Sequence, residues 1–267
     1  MTPWTSALRL GSTSCVYPED VLPNVRKLCG LVQNIEWDAF EVSYGVPGPE
    51  VFAEMAGLGA AYRHSYTVHL PLDLRLAAQD ERVRRRSLDD ARLVIAAARA
   101  VEPWAYVVHV EAEIDTGEAW GPWHERAAAS LAELTAEVGD ARLLAIENLE
   151  NYPPEHLWRL AERLPVSLCL DVGHLLRQGR DLLPPVEAQL ERARVIHLHG
   201  CEDGRDHRSL AAMDQGALLG LLRLLHRRQY RGVVTIECFG PEPFFESWDL
   251  VEGLWRRVGT ADVRRQR

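Results

Sequence analysis

Several familiar signatures are missing. The five cysteines, Cys15, Cys29, Cys169, Cys201 and Cys238, form no C-x-x-C pair and are odd in number. With no secretory leader and no long apolar span at the N-terminus, that usage indicates a reduced, cytoplasmic setting away from membranes. Basic residues are in deficit: 30 Lys and Arg face 39 Asp and Glu, a formal charge of −9. That balance argues against a broad basic surface, though not against a local basic patch, and no stable nucleic-acid complex is expected, because phosphate contacts require Lys and Arg. A dinucleotide fingerprint is also absent. GSTS follows the first apolar run without G-x-G-x-x-G spacing, and Gly57-Leu58-Gly59 falls inside a helical run, so an open dinucleotide-binding sheet is disfavoured. No linker divides the chain.

What is present is a repeated alternation. Short β-type runs at 9–17, 35–44, 65–72, 105–112, 141–150, 166–174, 194–200 and 232–240 are each followed by a helical run, at 18–31, 49–63, 80–101, 123–138, 153–164, 184–193, 214–229 and 244–257. Strands alternating with helices imply βαβ units and a parallel sheet. Eight such units in 267 residues predict the α/β class and a single (β/α)8 TIM barrel over residues 1–260. The last residues, 261–267, read as a frayed, solvated tail.

Ionisable residues sit at the ends of these runs. His69 ends the third, His109 the fourth, Glu147 (in AIENLE) the fifth, Asp171 the sixth with His174 three residues on, His197 the seventh and Glu237 the eighth. Asp206 and His207 lie in a polar loop, 201–209, after the seventh. Strand C-termini of a barrel converge on one mouth, and burying so many ionisable groups unpartnered is costly. A divalent metal site resolves that cost. Imidazole with carboxylate suits Zn foremost, with Mn or Fe as alternatives, and one to three ions per chain. His197 and His199 alternate by two, so both can face inward, one as a ligand and the other as a substrate contact or core residue. Cys201 and Cys238 lie near these positions as candidate soft ligands. His64, His124, His156 and His226 sit in helical runs or at their ends and read as surface.

The strand-end set VHL, VHV, IEN, DVGH, HLH with RDH, and IEC resembles the xylose isomerase-like barrels, and within them the endonuclease IV branch of metal-dependent phosphodiesterases. LGSTSCVYPEDVLPNVRKL, YTVHLPLDLRLA, ENLENYPPE, LDVGHL and IHLHG with RDHRSL are similar to the cobamide-remodelling phosphodiesterases (CbiR type). That resemblance implies hydrolysis of the nucleotide-loop phosphodiester of a cobamide, giving adenosylcobinamide phosphate and an α-ribazole-type nucleoside. It implies His69, His109 and Glu147 around one metal, with Glu147 bridging to a second held by Asp171, His197 and Glu237. A third would lie between His174, His207 and Asp206. The endonuclease relatives carry Asp-x-His where this chain has adjacent Asp206-His207. Glu147, Glu237 and His109 would be the catalytic residues.

The loops are expected to supply specificity. Segment 72–86 reads as a helix start or as a lid presenting Arg75 or Arg82, and Trp120 and Trp123, in the loop 111–123, as a barrel cap or a stacking surface for a flat ring. Asn148 and Tyr152, beside Glu147, are further substrate-binding candidates. The rival reading is a sugar isomerase or ketose 3-epimerase, which needs only Glu147, Asp171, His197 and Glu237 around one ion. Repair of abasic DNA runs against the acidic balance, and a corrinoid-binding protein without turnover is the non-enzyme alternative.

Overall fold

A computed structural model describes residues 8–112 and 120–265. Eight parallel strands close into a barrel: β1 (Arg9–Thr13), β2 (Asn34–Asp38), β3 (Ser65–His69), β4 (Ala105–Val108), β5 (Leu144–Glu147), β6 (Ser167–Asp171), β7 (Ala193–Leu198) and, after an inserted hairpin, β10 (Val233–Ile236). The hairpin pairs β8 (Gly200–Glu202) with β9 (Arg205–Arg208). The fold is the expected (β/α)8 barrel, with helices between the strands.

The strands are shorter than the apolar runs suggest. The second run, read as 35–44, is a strand only to Asp38, and Val42–Tyr44 forms a 3-10 turn. The final helix is Pro241–Arg265.

Helices are placed by capping and by one apolar face each. Asp80 accepts from the Arg82 amide at the start of the helix Glu81–Ala98, whose Leu88, Ala91, Val94, Ile95 and Ala98 are buried. That spacing is one face of an α-helix. Arg84 and Arg85 turn to Glu81 and Glu133, tying this helix to its neighbour Trp120–Val138. Arg84 and Arg85 of the basic run therefore belong to a helix–helix ion-pair network.

Inside the barrel, side chains two residues apart share a face. Ala105, Val107, Ala145, Cys169 and Val195 form a small-residue layer, and the next inward positions carry the ionisable groups. Ala145 is followed by Glu147, Cys169 by Asp171, and Val195 by His197. At the opposite end Trp104 lies between two guanidinium groups, Arg9 at 3.8 Å and Arg194 at 4.2 Å from its ring centre, a cation–π plug. The accessible end is therefore the one bearing the ligands.

The four histidines expected at the surface make packing contacts, two of them buried and His156 and His226 half-buried. His64 and His124 are buried, His156 stacks on Trp120 at 3.5 Å, and His226 packs against Trp255. Each lies on the packed face of its segment.

Candidate metal centre

Glu147 is 1% exposed, and its two carboxylate oxygens face different partners. Oε2 lies 3.0 Å from His69 Nε2 and 3.2 Å from His109 Nε2. Oε1 lies 3.3 Å from His197 Nδ1. Two donor groups built of imidazole and carboxylate alone consequently share this carboxylate. His69, His109 and Glu147 form one, and Glu147, Asp171, His197 and Glu237 the other, each with donor atoms within 4.8 Å of one another. Burial pushes the Glu147 carboxyl up, but the cationic imidazoles of His197 and His109 outweigh it and hold the group well below its ordinary value. Burial likewise opposes protonation of His109, yet Glu147 and Glu111 raise it to about 10.

The four-donor group fits a divalent cation. Glu147, Asp171 and Glu237 are 1%, 0% and 6% exposed, and three carboxylates buried around one imidazole leave a surplus of negative charge that a cation neutralises. Glu237 Oε2 approaches His197 Nδ1 to 3.2 Å yet has no aligned hydrogen-bond partner, as expected of an atom aimed at an ion. The donors are imidazole and carboxylate, the set that Zn, Mn and Fe(II) accept.

A third group departs from expectation. His174, His199 and His207 bring ring nitrogens together within 4.8 Å. Asp206, expected here, belongs to none of the groups among the described residues and instead forms a tight ion pair with Arg177. His199, expected as a substrate contact or core residue, takes its place. Its Nε2 lies 3.1 Å from Asp171 Oδ2, and its Nδ1 accepts from the His207 amide at 2.9 Å. Two backbone features permit this. Gly173 makes room, since a Cβ there would come within 2.0 Å of the His199 ring. Asp203 and Gly204 have φ of 51° and 72°, the all-positive pair of a two-residue hairpin turn, which returns the chain so that His207 faces His199. His207 itself is left-handed at φ 52°, a strained conformation of the kind that clusters at functional sites.

Supporting residues fix these ligands. Asn148 donates to the Asp171 carbonyl at 2.8 Å and accepts from its amide at 3.0 Å, while its own carbonyl meets His174 Nδ1 at 3.0 Å. It is therefore an orienting residue and not a substrate contact. Asp171 Oδ1 accepts from the His174 amide at 2.5 Å, capping the short helix that carries His174. Glu36, on β2, faces His197 Nε2 at 2.9 Å on the side opposite the metal-facing Nδ1, and Glu111 lies 3.6 Å from His109 Nδ1. Carboxylates behind ligating histidines set ring orientation and basicity.

The mouth above these groups is a chamber of about 190 Å³ lined by His69, His109, Glu147, His174, His207 and Glu237, with Asp38, Phe40 and Phe239 at its edge. Arg75, Trp120, Trp123, Asn148, Tyr152 and His199 do not line it. Arg75 donates to the Leu74 carbonyl at 3.1 Å and lies 3.8 Å from Glu111. Trp123 is buried, and Trp120, Trp123 and Tyr152 pack together with ring centres 5.5–5.9 Å apart. Trp120 and Trp123 belong to the helix Trp120–Val138, and residues 113–119 of the expected loop lie outside the described residues. Cys201 and Cys238 join no donor group among the described residues, and Cys238 Sγ donates to the Arg208 carbonyl. The thiol that does approach Glu147 and His197 is Cys169, which burial raises well above the ordinary value.

The sequence profile of the xylose isomerase-like TIM barrel family matches residues 30–254. The chain belongs to the xylose isomerase-like TIM barrel family. No curated protein sequence matches it. Among solved structures this family member is similar to a D-tagatose 3-epimerase-like protein, with 19% identity and a TM-score of 0.80 over 95% of this chain and 99% of that one. It is similar to an L-ribulose 3-epimerase at 16% identity and TM-score 0.72, over 97% and 96%. It is also similar to endonuclease IV from Thermus thermophilus at 17% identity and TM-score 0.71, over 93% and 99%. The xylose isomerase-like fold is thus shared with both epimerases and a nuclease, and no helix of the described residues is long and apolar enough to cross a membrane.

Proposed function

We propose that the chain is a metal-dependent phosphodiester hydrolase. Its substrate is the nucleotide-loop phosphodiester of a cobamide, cleaved to adenosylcobinamide phosphate and an α-ribazole-type nucleoside. The observation that carries the hydrolase reading is the division of Glu147, whose two oxygens serve two donor groups, beside a third group of three histidines. The isomerase reading calls on only one of these groups, Glu147, Asp171, His197 and Glu237; three adjacent donor groups suit a charged phosphoryl centre. The cobamide itself rests on the sequence resemblance.

In this reading His69, His109 and Glu147 hold one ion, with Glu147, Asp171, His197 and Glu237 holding the second and His174, His199 and His207 the third, zinc foremost. Bound divalent ions supply Lewis-acid polarisation and charge neutralisation at the phosphoryl oxygens. The chain's residues do the rest. No Lys or Arg lines the chamber among the described residues, whereas Asp38, Glu147, Glu150, Asp206 and Glu237 do, so a diester anion requires cations in the donor groups to enter. Glu36 and Glu111 hold His197 and His109 in orientation. His109 Nδ1, facing Glu111 at 3.6 Å, holds its proton against that carboxylate and leaves Nε2 for the donor group.

A second reading is the one the similar solved structures favour. Glu147, Asp171, His197 and Glu237 alone would serve a sugar isomerase or ketose 3-epimerase, and epimerases are prominent among the similar solved structures. One assay separates the two. Zinc-loaded protein is incubated with adenosylcobalamin and, separately, with ketohexoses. Release of cobinamide phosphate is expected; epimerised ketose without diester cleavage would overturn the proposal. Glu147→Gln should abolish turnover, with an unchanged circular dichroism spectrum and fewer bound ions by native mass spectrometry.

A further inference from the structure

The loops after β1 and β2 enclose a second chamber of about 610 Å³, beside the 190 Å³ mouth. Asp38 and Phe40 line both, so the two are adjacent. Phe40 and Phe239, with ring centres 6.4 Å apart, stand at the boundary.

The larger chamber differs in chemistry. Its walls include Trp37, Phe40 and several aliphatic side chains, with Tyr44 at the rim. Its charged groups are all carboxylates: Asp20, Asp38, Glu41 and Glu19, the last neutralised by Lys27 at 2.6 Å. Among the described residues no Lys or Arg lines it. Uncompensated carboxylates repel phosphate and accept hydrogen bonds from hydroxyl and N–H groups. The volume falls in the range of roughly 300–1,000 Å³ that encloses a drug-sized ligand. A monosaccharide would leave most of it empty. Apolar and aromatic walls with an acceptor-only set of charged groups complement a flat uncharged ring joined to a hydroxyl-bearing sugar.

We propose that this chamber is the subsite for the nucleoside arm of the diester, with the phosphate at the donor groups on the other side of Asp38 and Phe40. The identity of the arm rests on the phosphodiesterase reading; the preference for an uncharged, nucleoside-sized ligand rests on the chamber's own lining.

Calorimetric titration of the zinc-loaded protein with α-ribazole tests it without turnover. Binding is expected, and Val46→Trp, which fills the chamber, should weaken it about tenfold or more. Tyr44 is 79% exposed, so Tyr44→Ala provides a variant whose folding is not in question and should weaken binding severalfold. Equal affinity in wild type and Tyr44→Ala together with a folded Val46→Trp, or no binding to wild type, overturns the assignment. Nucleoside binding lost in the variants, in a protein that cleaves no cobamide, supports the chamber and refutes the hydrolase reading. Cobamide cleavage with nucleoside affinity unchanged in both variants refutes the chamber alone.

Discussion

Glu36 Oε1 stands 2.9 Å from His197 Nε2, and both side chains have no solvent exposure. The atoms are not in hydrogen-bonding alignment, so the contact is an ion pair behind the imidazole, on the side away from Glu147. It determines which nitrogen His197 turns toward the donor group.

Glu36→Gln should therefore weaken metal binding without unfolding the barrel. Removal of such a supporting carboxylate typically costs about 10–100-fold in metal affinity or activity. Competition against a chromophoric chelator measures it, and unaltered affinity would show that Glu36 does not orient His197.

Gly173→Ala addresses the histidine group. The added Cβ would lie 2.0 Å from the His199 ring, so the ring must move. We expect one bound ion fewer per chain and a loss of roughly 1–3 kcal/mol in stability, the usual range for overpacking. Native mass spectrometry and denaturant unfolding give the two numbers. A full complement of ions would place His199 outside the ligand set.

The metal-free protein should lose stability on the alkaline side. His109 and His199 are raised from the ordinary 6.5 to about 10 and about 9, against burial, by Glu147 and Asp171 respectively. A group whose folded value is raised contributes fully below its unfolded value and loses that contribution as pH rises through the folded one. The window is therefore pH 6.5 to about 10. Denaturation midpoints of the metal-free form should fall across it, and those of the loaded form much less, because metal binding displaces the same protons.

The donor residues are legible in the sequence because each ends an apolar run, and a barrel gathers such ends. Glu36 is not, because the second run continues in sequence to Tyr44 and hides the true strand end at Asp38; Glu36 then reads as an interior strand position. The exchange of Asp206 for His199 is also hidden. It depends on a hairpin whose only sequence signal is Asp203-Gly204, set between strands too short and polar to stand out from a loop. Trp120, Trp123 and Tyr152 mislead for a different reason. Aromatic residues near a mouth look alike in sequence whether they face a ligand or one another.

One carboxylate shared by two candidate donor groups also has a consequence for loading. Glu147 cannot change its charge or tilt for one ion without altering what it offers the other, so the two affinities are linked, and by equal amounts in both directions. Filling either site displaces protons from the imidazoles that compete for the same oxygens. The order of addition then changes the path but not the end point, and a half-loaded protein is a distinct species with its own affinity for the next ion.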